Sequence, residues 1–88
     1  MINREEINRM RWAARRGMLE LDLVLEPFVD QCYADLDDPD RRRFQALMRC
    51  EDQDLFAWLL RREQPVDKDT RVIVGRILEF TRRPPADR

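Results

Sequence analysis

Residues 21–36 read LDLVLEPFVDQCYADL, and their spacing decides the fold. Leu21, Val24, Leu25, Phe28, Cys32 and Leu36 recur at the period of one helix face. Pro27 interrupts the series, so the helix either kinks there or begins afresh with Pro27 in its first turn. Upstream, Asn3 followed by Glu6 has the form of a capping box, with Ile2 and Ile7 at the two positions of a hydrophobic staple. Ile7, Met10 and Ala14 continue at helical spacing, and Gly17 stands where a left-handed cap would end that helix.

Downstream the punctuation is equally regular. Asp37-Asp38-Pro39-Asp40 is a break and a new start, with Asp38 as the expected cap and Pro39 at the first helical position. Phe44, Leu47 and Met48 supply the inner face of a third helix. Asp52 or Asp54 caps a short fourth one, whose Leu55, Phe56, Trp58 and Leu59 are dense enough to be central to the core. Gln64-Pro65 ends it, and Asp67 opens a fifth helix with Ile73, Ile77 and Phe80 along one stripe, helped by Val74. No internal repeat and no alternating strand pattern is present. The expected fold is all-α, a small bundle of about five short helices. Residues 1–81 form a single domain on this reading, and 82–88, with Pro84-Pro85, a flexible C-terminal tail.

Composition closes off several kinds of chemistry. In 88 residues, 17 basic side chains face 18 acidic ones, and the 43 % hydrophobic share fills one small core and no second domain. Histidine and serine are both missing, which removes the imidazole base, the commonest metal ligand and the Ser-His-Asp triad. Gly17 and Gly75 stand too far apart for a phosphate cradle, and Cys32 and Cys50 are too distant, without histidine, for a zinc site. The carboxylate pairs Asp37–Asp38 and Asp52–Asp54 fit helix starts better than acid–base catalysis. The expectation is a chain that is not an enzyme, with no catalytic residue, no metal and no stably bound cofactor. No apolar run approaches the ~18 residues of a membrane span, and residues 1–6 lack a signal core. With free cysteines acting as small core hydrophobes, the expected compartment is a bacterial-type cytoplasm.

What remains for function lies near the first helix. On a wheel of 100° per residue, Trp12 falls roughly opposite Ile7, Met10 and Ala14, and Arg9 and Arg16 share its face. Tryptophan framed by arginine is the composition of an interface hot spot. The alternative is that another helix of the chain covers Trp12 and that Arg9 stacks on it. The next stretch, Arg15 to Asp22, has a purely structural account: Gly17 caps helix one, and Glu20 and Asp22 complement the positive end of helix two. That account leaves Met18-Leu19 at an exposed corner, where Arg9, Arg16, Glu20 and Asp22 would ring a compact apolar spot.

Trp12-Ala13-Ala14-Arg15-Arg16-Gly17-Met18-Leu19-Glu20-Leu21-Asp22 resembles the signature of the succinate dehydrogenase assembly factor family, the flavinylation factors called SdhE in bacteria. Its core is an Arg-Gly-x-x-Glu motif, here Arg16-Gly17-Met18-Leu19-Glu20. Pro27-Phe28 and the later segment Asp52-Gln53-Asp54-Leu55-Phe56-Ala57-Trp58-Leu59 extend the likeness over roughly residues 4–80. The resemblance implies a five-helix bundle that binds the flavoprotein subunit of succinate dehydrogenase, and in some bacteria that of fumarate reductase. It also implies help with covalent attachment of FAD to a histidine of that subunit, so FAD belongs to the client. Carried over by position, Arg16, Gly17 and Glu20 are the partner-binding core, with Trp12, Met18 and Asp22 beside them. The wheel adds Arg9. The free protein is expected to be a monomer.

Two rivals use the same residues differently. Arg15-Arg16, Arg41-Arg42-Arg43, Arg61-Arg62 and Arg82-Arg83 would serve a nucleic-acid-binding domain, but the even charge balance argues against contact with nucleic acid. An antitoxin-like module would be the same kind of docking protein with a different client.

Overall fold

The computed structural model describes residues 3–83, and every regular element in that span is helical. The helices are α1 (Arg4–Ala14), α2 (Leu19–Cys32), α3 (Asp38–Leu47), α4 (Asp52–Leu59) and α5 (Lys68–Arg82), with a 3₁₀ turn at Tyr33–Asp35 after α2. Ile2 of the expected staple and residues 84–88 of the expected tail lie outside the described residues; Arg82 closes α5.

Local chemistry sets most boundaries. The Asn3 side chain accepts the Glu6 N–H at 2.8 Å. The reciprocal half of a capping box is missing, because the Glu6 carboxylate accepts the Tyr33 hydroxyl at 2.8 Å instead. Asp67 caps α5, taking both the N–H and the hydroxyl of Thr70 at 2.9 Å. Those bonds hold its carboxyl below the usual carboxylate range.

Two caps shift from their expected places. Asp37, not Asp38, caps α3 by accepting the Asp40 N–H at 2.9 Å, so Pro39 is the second helical residue. At α4 the cap position is Glu51, without a side-chain cap bond, and Asp52 is already helical. The helix α2 runs through Pro27. Proline removes the donor that the Leu23 carbonyl would use; Leu23 is 64 % exposed, so that carbonyl lies where water can serve it.

The helix α2 is central, packing against α1, α4 and α5, while α3 lies on α5. Leu21, Leu25, Phe28 and Val29 from α2 meet Phe44, Leu47, Leu55, Leu59, Ile73, Ile77 and Phe80 in one core. Each such side chain stabilises by about 1.5–3 kcal/mol through burial. Phe28 stacks on Phe44 at 5.6 Å and meets Phe80 edge-on at 5.7 Å. Tyr33, which periodicity does not mark, is fully buried against Phe44 because the 3₁₀ turn redirects the chain after α2.

Several expected core residues are only half-buried, among them Phe56, Trp58, Cys32 and Cys50. In α4 the inward pair is Leu55 and Leu59, one turn apart, and Trp58 sits at the edge of that face.

Candidate functional site

The site grows from the way α1 ends. The helix stops at Ala14; Arg15 is extended and its N–H reaches the Trp12 carbonyl at 3.2 Å. Gly17 then turns the chain with φ +79°, three residues beyond the last helical residue rather than as its cap. A Cβ at Gly17 would meet nothing within 4 Å, so the glycine serves backbone conformation and faces open space. Leu19 opens α2 after a non-helical Met18.

Arg16 turns inward at this corner. Its Nε donates to Asp52 Oδ1 at 2.8 Å, Nη1 to the carbonyls of Ala13 at 2.8 Å and Met48 at 2.9 Å, and Nη2 to the carbonyl of Cys50 at 2.8 Å. The Ala13 and Met48 carbonyls lie at the ends of α1 and α3, where helices leave acceptors unsatisfied, and a cation there complements both dipoles. Asp22 completes the turn by accepting the Arg16 N–H at 2.8 Å. Cys50 lies alongside; burial, above all, pushes its thiol up, with Asp54 adding and Arg16 opposing.

Arg16 therefore does not share the Trp12 face. The wheel fails because the helix has ended two residues earlier, and 100° per residue no longer applies. Met18 is likewise half-buried against the core instead of standing exposed. Of the seven residues singled out by sequence, Arg16, Asp22 and Met18 build the corner from within. Trp12, Gly17, Glu20 and Arg9 remain on the surface.

The outer side is apolar and open. Trp12 is 73 % exposed and Leu19 67 %; Leu23, one turn beyond Leu19, extends the same stripe. Trp12 is not covered by another helix, and the cation over its ring is Arg15, at 5.5 Å from the centroid, not Arg9. Arg11, next to Trp12, bonds Asp30 across the α1–α2 seam at 2.7 Å. Asp30 follows Leu23 by two turns on α2. Glu20 and Arg9 make no side-chain hydrogen bond or ion pair among the described residues.

Sequence reasoning missed Arg15, Leu23 and Asp52. The repeat of Leu19 at Leu23 was a usable signal for the exposed stripe; nothing local marks Asp52, whose partner lies 36 residues away. Among the described residues no group of three His, Cys, Asp or Glu could hold a metal ion, and no helix is long and apolar enough to cross a membrane. The first turn of α2 carries Glu20 and Asp22, which repel a phosphate from that helix start.

The family model described as flavinator of succinate dehydrogenase matches residues 8–81. An FAD assembly factor SdhE from Pseudomonas aeruginosa is 48 % identical over 79 residues, covering 90 % of this chain and 94 % of its own. Another from Shewanella oneidensis is 56 % identical over 57 residues, covering 65 % of this chain and 70 % of its own. The solution structure of a UPF0350 protein superposes with a TM-score of 0.75 at 36 % identity, covering 92 % of this chain and 86 % of that one.

Proposed function

The chain belongs to the family described as the flavinator of succinate dehydrogenase, and from that premise we propose that it docks on the flavoprotein subunit of that enzyme and promotes covalent attachment of FAD there. The observation that carries the docking reading is the α1–α2 corner. It presents Trp12, Leu19 and Leu23 to solvent, with Glu20 unpaired at the start of α2, over a turn held from within by Arg16. A flat aromatic anchor on a preorganised surface is what a hot spot requires.

The factor acts without chemistry of its own on this reading. The sequence has no histidine to carry a flavin, and the acidic start of α2 disfavours a dinucleotide phosphate, so acceptor and FAD site belong to the client. By binding one arrangement of the client more tightly than others, the corner holds flavin and acceptor in a reactive geometry. Trp12, Gly17, Glu20 and Arg9 touch the partner; Arg16, Asp22 and Met18 shape the surface they stand on. The related subunit of fumarate reductase is a second client, the free factor is a monomer, and the encounter takes place in the cytoplasm.

Glu20→Ala tests the reading. An exposed helix-terminal charge is worth only about 0.3–1 kcal/mol, so the variant should melt near the wild type. Covalent flavin in co-expressed client, read by in-gel fluorescence, should fall severalfold. Wild-type fluorescence would remove Glu20 from the contact.

A further inference from the structure

An open groove of about 330 Å³ lies between α1 and the end of α3, on the far flank of Trp12 from Arg11 and Arg15, lined by Arg9, Met10, Ala13, Gln45, Met48 and Arg49. We propose that this groove takes an acidic segment of the client flavoprotein subunit, a reading that rests on the docking function above. Its floor is apolar: Met10 and Ala13 from one side, Met48 from the other, all packed on the core. Methionine adapts its shape to whatever apolar side chain enters.

The rims carry charge without a counter-charge. Arg9 and Arg49 are both exposed, neither pairs with a carboxylate among the described residues, and no acidic side chain lines the groove. Other grooves mix paired and unpaired arginines, Arg42 and Arg83 making no ion pair among the described residues. Each of those grooves is also lined by an acidic side chain or by an arginine already held by one. Arg43, beside Pro39 and Ala46, bonds Asp69 and Asp40, and Arg76, near Phe80, bonds Asp40. The walls are also fixed. Arg16 Nη1 bonds the carbonyls of Ala13 and Met48, one from each side, so the groove keeps its width when empty.

Geometry favours a peptide over the diphosphate of FAD. No helix N-terminus opens into the groove; Arg9 is mid-helix, and Arg49 follows the C-terminal end of α3, where the dipole is negative. Guanidinium groups on opposite rims instead suit carboxylates on an extended chain, each accepting a forked pair of hydrogen bonds.

The test is the affinity of the full chain for purified client subunit, with and without FAD, across a salt series. Charge reversal at both rims (Arg9→Glu with Arg49→Glu) should weaken binding at least about tenfold and flatten the salt dependence, with and without flavin. The Arg9→Lys, Arg49→Lys pair should keep most of the affinity, and because both sites are exposed, thermal melts should not move. Unchanged affinity and salt slope in the reversed variant would overturn the groove and remove Arg9 from the contact, while leaving the docking corner of Trp12, Leu19 and Glu20 standing. A loss seen only with FAD-loaded client would make the cofactor the occupant and equally overturn it. Wild-type protein that binds no client at all would overturn the docking reading, and the groove with it.

Discussion

At the α1–α2 corner the charge taken inside is a cation, Arg16, whose side chain is 15 % exposed; at the α3–α5 junction it is an anion, Asp40, at 4 %. Asp40 holds Arg43 at 2.8 Å and Arg76 at 3.1 Å, joining two regular helices that Phe44, Ile73, Ile77 and Phe80 already hold together by burial. Arg16 joins two irregular connections, the turn after α1 and the link between α3 and α4, through three main-chain carbonyls. The same kind of ion pair thus has unequal consequences. Where packing surrounds it, the pair adds to an assembly that exists without it; where the chain is irregular, one side chain defines the shape.

That contrast sets an order of effects. Arg16→Ala strands three carbonyls and a carboxylate and should cost about 2–4 kcal/mol, lowering the melting temperature by on the order of 10–20 °C. A circular-dichroism melt within a couple of degrees of wild type would erase the distinction between the two regions. Asp40→Ala should cost about 1–2 kcal/mol, since Arg43 keeps Asp69 and Arg76 is largely solvated. Flavinylation of the client should persist in that variant below its melting temperature; a cost above that of Arg16→Ala would invert the comparison. Asp52→Asn should be milder, at about 0.5–1 kcal/mol by urea unfolding, because an amide oxygen still accepts the Arg16 Nε and the site is partly solvated.

The smallest effect at neutral pH concerns Tyr33, which links Glu6 to Gln45 at 2.8 and 2.9 Å. Burial, above all, pushes its phenol from 10 up to about 12, with the Gln45 bond opposing and the Glu6 bond adding. A raised value means the folded state favours the neutral phenol. The contribution is fully present below pH 10 and is lost as pH climbs through 12. Wild-type stability, followed by chemical denaturation, should decline across that window more steeply than that of Tyr33→Phe; parallel curves would place the titration elsewhere.

The helices were legible where their signals are local. Asn3, Asp67 and the Ile73, Ile77, Phe80 stripe each act within a turn or two, so sequence spacing places them correctly. Asp37 and Asp38 are chemically equivalent as caps, and nothing in sequence separates neighbours of the same type. The site was legible in part. Gly17 marks the turn, and the motif it sits in marks the family, but the inward course of Arg16 depends on carbonyls 32 and 34 residues away. Main-chain acceptors carry no residue identity, so no pattern of letters reports them. Tyr33 was missed for a related reason: a 3₁₀ turn breaks the period on which the burial argument depends.

Because Arg16 reads mostly main chain at Ala13, Met48 and Cys50, the identities of those three positions are of little concern to the clamp. The hydrogen bonds themselves survive substitution there, although Met48 stays constrained by its burial in the core, whereas a single inserted or deleted residue between α3 and α4 would rotate the carbonyls out of reach. The connection is thus permissive in spelling and strict in length.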